Sequence, residues 1–220
     1  MDLTFENIAN NKLVSALIYK GNEALGALGF TEHSTIHAAL VAKTAADILS
    51  KLGYSEHEVQ LAKIAGYMHD IGNAVNRTDH AHTGATLCFN ILSGFDADPQ
   101  DIAEIVAAIG NHDEATGQAF SAVSAALIIA DKTDVRRDRV RNRVKATFDA
   151  HDRVNYAAIS STLKVDTEKK MISLDIELDE GMCTMFDYFE IFLGRMLMCR
   201  RAAGQFDMGF TVLANGVRAV

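Results

Sequence analysis

Positive charge is in short supply in this chain: 21 lysines and arginines stand against 29 aspartates and glutamates, a formal charge of −8. That balance disfavours bulk binding to nucleic acid or to an anionic membrane surface, which needs a basic face, although a local basic patch remains compatible with it. Cysteine is scarce too. Cys88, Cys183 and Cys199 lie far apart, form no CxxC pair and are odd in number, so neither a disulfide framework nor a zinc knuckle is indicated and all three read as reduced core residues. The longest apolar run, around residues 121–130, is too short to span a bilayer. The opening MDLTFENIANNKLV has neither a basic leader nor a sustained apolar stretch, and a cytoplasmic protein is expected. Internal repeats, low-complexity segments and Gly/Ser linkers are absent from the sequence, so its parts are expected to pack together. The single proline, Pro99, follows Asp98 and falls at a first helical position, where no amide hydrogen is missed.

What is present is material for a core. With 220 residues, 49% of them hydrophobic and 23% charged, the chain suffices for one large or two small domains. Apolar residues recur at helical spacing through the first 150 positions and predict helices over about 5–28, 35–52, 56–70, 80–93, 99–111 and 121–145. Ser55 and Glu58 have the spacing of a capping box. After about residue 160 the pattern changes. TLKVDTEKKMISLDIEL alternates apolar and polar residues about a charged turn and reads as a hairpin; MFDYFEIFLGRMLMCRRAA reads as a helix and FTVLANG as a short strand closed by a turn. The expected architecture is a mostly α chain: a helical domain over residues 1–150, followed by a small α+β subdomain of ββαβ order over 151–220.

Seven of the eight histidines fall within the first 112 residues, at 33, 37, 57, 69, 80, 82 and 112. His69 and Asp70 end an apolar helix where Gly72 lets the chain turn, so both side chains can enter one cavity. His37 starts an apolar helix that can run alongside, His80 opens the next helix, and His112 closes the one after it. Asp131 interrupts the apolar run ALIIA with a carboxylate, an expensive burial unless a cation or hydrogen bonds compensate. His57, in SEHE at a helix start, reads as exposed, and His82, two positions past His80, points to solvent. Asp79 and Asp113 neighbour candidate ligands and can orient them, with capping an equal explanation for Asp79. A further doublet, His151–Asp152, lacks both the apolar helix before it and the glycine after it, and reads as a decoy.

The order His37, His69-Asp70, Asp131 resembles the H…HD…D signature of the HD family of metal-dependent phosphohydrolases. HAALVAKTAADILSKLGY leading into AKIAGYMHDIG, then HAHTGA, NHDE and ADKTD, resemble its successive ligand segments, over about residues 30–145. The resemblance implies a helical HD-type bundle in which His37, His69, Asp70 and Asp131 hold one ion. His80 and His112 resemble the additional ligands of the binuclear kind, with Asp70 as bridge and central catalytic carboxylate. Such donors suit manganese, iron, cobalt, nickel or zinc, with magnesium also compatible, as one or two ions. The implied reaction is attack of metal-activated water on a small, nucleotide-like phosphate monoester, diester or anhydride.

Asn73 stands where many such proteins carry lysine directly after HDIG. A replacement charge is expected from DKTDVRRDRVRNRVK, with Lys132, Arg136 and Arg137 as first candidates, since the planar guanidinium can bind two phosphate oxygens. His33, one turn before His37, is expected to contact substrate or support a ligand, and Asn73 to face substrate. A homodimer through the C-terminal subdomain fits this reading. Two other classes are carried forward: a di-iron oxygenase of the HD type, and a metal- and nucleotide-binding regulatory module without turnover.

Overall fold

The computed structural model describes residues 1–219. Helices α1 (Phe5–Ala9) and α2 (Lys12–Ala27) replace the single helix expected over 5–28. The break is at Asn10–Asn11, where the Asn11 side chain accepts from the amides of Leu13 and Val14 and so starts a new helix. α3 (Thr35–Lys51), α4 (Glu56–Met68), α5 (His80–Leu92), α6 (Pro99–Gly110) and α7 (Ala122–Lys132) follow. Both marked helix starts are found: Ser55 and Glu58 form a reciprocal capping box, and Asp98 caps α6 with Pro99 just inside it.

α3, α4 and α7 pack on one another, α6 lies against α4 and α7, and α5 against α6. Glycine sets two of these approaches. A Cβ on Gly66 of α4 would stand 2.7 Å from the Ala42 Cα of α3, so only glycine lets these helices come so near. A Cβ on Gly72 would stand 2.0 Å from the His80 carbonyl oxygen. Gly72 belongs to the 3-10 turn Ile71–Ala74, and its bareness lets that turn abut the start of α5.

The long helix expected over 121–145 is not formed. α7 stops at Lys132, where the Thr133 hydroxyl donates back to the Ile129 carbonyl at 2.6 Å. Residues 133–149 form an irregular strap with short 3-10 turns at Arg137–Arg139 and Lys145–Thr147, leading to α8 (Ala150–Ala157). Its arginines close its own and neighbouring backbone: Arg139 donates to the carbonyls of Glu32 and Asp134, Arg141 to those of Phe30 and Asn22, and Arg137 to that of Tyr156. Guanidinium donors here do for loop carbonyls what a helix ladder would otherwise do.

The C-terminal part is ββαβ with one short addition. β1 (Ala158–Asp166) and β2 (Met171–Leu178) form the expected antiparallel hairpin, paired from Asp166 with Met171 at the turn. α9 (Met185–Ala203) crosses to β3 (Gly209–Ala214), which lies parallel to β2, and β4 (Val217–Arg218) pairs antiparallel with β3. Ile172, Leu174, Ile176, Phe210 and Val212 are buried, as are Tyr188, Phe192, Met196 and Cys199 of α9. α9 also packs on α7, so one apolar core runs through the helical and mixed parts. No described helix is long and apolar enough to cross a membrane.

Candidate metal centre

Six side chains from five helix ends meet at one point. His37 stands in the first turn of α3, His69 at the end of α4 with Asp70 next to it, His80 at the first position of α5, His112 just past α6, and Asp131 in the last turn of α7. The four histidines are buried, at most 3% exposed. The carboxylates divide the cluster into two lobes. Asp70 Oδ2 lies 3.7 Å from His37 Nε2 and 3.3 Å from His69 Nε2, and Asp131 Oδ1 lies 3.4 and 3.6 Å from the same two nitrogens. The other Asp70 oxygen, Oδ1, faces His80 Nε2 at 3.5 Å and His112 Nε2 at 3.9 Å. Asp70 therefore belongs to both lobes.

Each imidazole is anchored from behind. Nδ1 of His69 bonds the Gly66 carbonyl at 2.8 Å, that of His112 the Ile109 carbonyl at 2.6 Å, and that of His80 the Arg77 carbonyl at 3.2 Å. His37 Nδ1 bonds the buried carboxylate of Asp134 at 2.7 Å. A carbonyl or carboxylate accepts, so these partners hold the proton on Nδ1 and leave the Nε2 lone pair turned inward. Nε2 of His37 and of His69 are buried without any hydrogen-bond partner. Unpaired buried nitrogens facing two carboxylates are costly unless a cation sits between them. Three subsets of the cluster (His37, His69 and Asp70; His69, His112 and Asp131; Asp70, His80 and His112) hold their donor atoms within 4.8 Å of one another. The residues fit one or two divalent ions.

The electrostatics follow from burial and crowding. Burial pushes His80 and His112 below the ordinary histidine value, which keeps them neutral. Burial alone would raise Asp70 and Asp131, but His69 beside Asp70, and Lys132 with His37 and His69 beside Asp131, hold both well below the usual carboxylate range. Burial likewise opposes charge on His69, yet Asp70 and Asp131 outweigh it and lift its pKa to about 10, so in the absence of a cation a proton occupies that lobe.

A cavity of about 430 Å³ opens onto the cluster and is lined by Asp70, His80, His112 and Asp131, with Phe30, His33, Arg77, Glu114, Lys132, Arg139, Arg195 and Asn155 among its walls. Of the substrate contacts expected from sequence, Lys132 and His33 line it. Lys132 is buried and bridges Asp131 at 2.8 Å and Glu114 at 2.7 Å. The His33 ring packs edge-on to His37 with centroids 5.5 Å apart, and burial lowers its pKa.

Three expected contacts are not brought to the cavity wall. Asn73 is buried and turned to Asp70, donating to its Oδ1 at 2.8 Å, so it orients that carboxylate and does not line the cavity. Arg136 is held by Asp134 at 2.5 Å and Asp138 at 2.9 Å, and Arg137 by the Tyr156 carbonyl and ring; neither lines the cavity, because the strap turns them to other partners. Asp79 sits at the N-cap of α5 in the left-handed region, φ 62°, without a side-chain capping bond, and its carboxylate bonds His82. His82 is exposed, and exposed His57 bonds Asp101.

The residues not anticipated are Asp134, Glu114, Arg77, Arg139 and Arg195. Asp134 carries a signal in ADKTD, one turn past Asp131. Arg195 could not be read from local sequence, since it reaches the cavity from α9, 81 positions from its partner Glu114. The decoy doublet is half in place: His151 and Asp152 line the cavity mouth, but neither belongs to the cluster.

A helical bundle that turns four imidazole nitrogens onto two carboxylates, one of them shared between two lobes, defines a protein with a buried histidine–aspartate centre of the metal-holding type. The chain belongs to the HD domain family, whose model matches residues 35–153. It is 26% identical over 199 residues to an uncharacterized protein of Methanocaldococcus jannaschii, covering 80% of this chain and 76% of that one. It is 33% identical over 151 residues to Ribonuclease Y of Wolinella succinogenes, covering 67% of this chain but only 25% of the ribonuclease. A predicted HD superfamily hydrolase from an uncultured Thermotogales bacterium superposes with a TM-score of 0.45 at 23% identity, over 57% of this chain and 68% of that one.

Proposed function

We propose that the protein is a metal-dependent phosphohydrolase acting on a small phosphorylated molecule of nucleotide-like size. The observation that carries this reading is the division of Asp70 between two lobes, one oxygen facing His37 and His69 and the other His80 and His112. His37, His69, Asp70 and Asp131 would hold one divalent ion, and Asp70, His80 and His112 a second. Bound there, such ions polarise a phosphoryl oxygen and lower the pKa of water so that it attacks phosphorus. The chain's own residues supply position. Asp134 and three backbone carbonyls fix the imidazoles, Asn73 fixes Asp70, and Lys132 takes the outward oxygen of Asp131, leaving its Oδ1 to the histidines. The cavity matches a single small ligand in size, not a length of polymer. The name of the Wolinella relative nevertheless puts a phosphodiester among the substrates to test.

The test is elemental analysis of purified protein, with hydrolysis of p-nitrophenyl phosphate, bis-p-nitrophenyl phosphate and nucleotides under manganese, iron, cobalt, nickel, zinc and magnesium. The reading expects bound transition metal and turnover of at least one ester or anhydride. Protein that carries metal yet hydrolyses none of them, or turns over only with iron and oxygen, overturns it.

A further inference from the structure

Most cations around the cavity are already committed. Lys132 is shared by Asp131 and Glu114, Arg195 donates to Glu114 at 3.0 Å, and Arg139, 5% exposed, donates to the carbonyls of Glu32 and Asp134. Arg77 differs. It lines the cavity between the 3-10 turn and α5, and among the described residues it makes no ion pair with a carboxylate. Its contacts are weak: Nη1 donates to Asn73 Oδ1 at 3.4 Å, stands 3.3 Å from His80 Nε2, and the guanidinium lies over the Phe30 ring at 5.7 Å from the centroid.

That contact with His80 is informative. His80 Nδ1 faces the Arg77 carbonyl, so Nε2 carries the lone pair, and a guanidinium N–H and a metal ion cannot both use it. An ion held by His80 would therefore take that nitrogen from Arg77, leaving the guanidinium with only its weak contacts to Asn73 and Phe30. A guanidinium beside a dication site, with no carboxylate of its own, is arranged for an anion that also reaches the centre.

We propose that Arg77 is a substrate-binding residue that takes the non-bridging oxygens of the substrate's reacting phosphate, with the Phe30 ring setting the plane of its guanidinium. The proposal rests on the phosphohydrolase reading and deepens it, because an added fixed charge favours a terminal, dianionic phosphomonoester over a monoanionic diester. It also moves the phosphate contact from the strap arginines to the segment between Asp70 and His80.

The experiment uses manganese-loaded protein titrated with inorganic phosphate by calorimetry, alongside turnover of p-nitrophenyl phosphate and bis-p-nitrophenyl phosphate. Arg77→Ala should weaken phosphate binding and raise KM for the monoester roughly tenfold to a hundredfold, with manganese content unchanged and a smaller effect on the diester. Arg77→Lys, which keeps the charge but not the fork, should recover part of the loss, and Arg143→Ala, an exposed arginine of the strap, should change neither readout. Wild-type phosphate affinity in Arg77→Ala, equal losses on monoester and diester, or loss of manganese in place of phosphate would overturn the assignment while leaving the phosphohydrolase reading of the wild-type protein standing. Wild-type protein that holds manganese but neither binds phosphate nor cleaves either ester would instead defeat the phosphohydrolase reading, and the role of Arg77 with it.

Discussion

The chain contains the dipeptide His-Asp three times, at 69–70, 112–113 and 151–152, and the first and last copies, which differ most, open onto the same cavity. The first closes α4, whose last residues are buried; His69 is itself fully buried, and Asp70 leads into a turn pressed against α5 by Gly72. The last opens α8, where Asp149 caps the helix, His151 is exposed, and Asp152 pairs with Asn142 of the strap at 3.3 Å. Identical residues thus give a buried candidate ligand pair in one place and a solvated rim in the other. What separates them is surroundings: burial that strips water from the imidazole, a carbonyl that fixes its tautomer, and four further helix ends aimed at the same point.

The difference is broken most severely at Asp70, the one side chain common to both lobes. Asp70→Asn keeps the shape but removes the charge both lobes need, and activity should fall by several kcal/mol of transition-state stabilisation, about a thousandfold, with loss of bound metal by elemental analysis. Chelation sharpens the same point. A cation bound a hundredfold above its dissociation constant stabilises by about 2.7 kcal/mol, so stripping metal from wild-type protein should lower Tm by about 5–10 °C in calorimetry. Asp70→Asn should show almost no chelator effect, while the continuous apolar core keeps both proteins folded.

Asp134 tests whether support behind a ligand matters as well as the ligand. It holds His37 Nδ1 at 2.7 Å and is itself gripped by Arg136 and Arg139, contacts that keep it ionised against its burial. Asp134→Asn preserves volume but not the charge, and metal affinity should drop about 10–100-fold, seen in competition titration with a chromogenic chelator. An unchanged affinity would mean that the His37 ring is held by packing alone.

This contrast also explains what could be read in advance. The cluster was legible because each member sits at a helix end marked by local signals, and because Asp131 directly after ALIIA is hard to explain without a compensating partner. The hairpin was legible from its alternation. The strap was not, since Val135, Val140 and Val144 mimic a helical stripe while the fold is set by arginine contacts with carbonyls more than 100 positions away. Arg77 escaped for the converse reason: nothing marks it locally, and its proximity to His80 depends on how the turn at Gly72 meets α5. Distant pairing, not local pattern, decided which cations are committed and which are not.

The smallest effect is expected at the last doublet, His151–Asp152. His151 lines the cavity mouth and touches no member of the cluster, so His151→Ala should leave metal content and Tm unchanged and alter KM by no more than a few-fold, as befits an exposed side chain with no buried partner to strand. His69→Ala, the matching change in the first doublet, removes a donor whose inward nitrogen faces both Asp70 and Asp131 at 3.3 and 3.6 Å, and should empty the first lobe. If His151→Ala instead cost as much activity as His69→Ala at full metal occupancy, the rim doublet would be a proton-handling group in its own right, and burial would no longer be what separates the two.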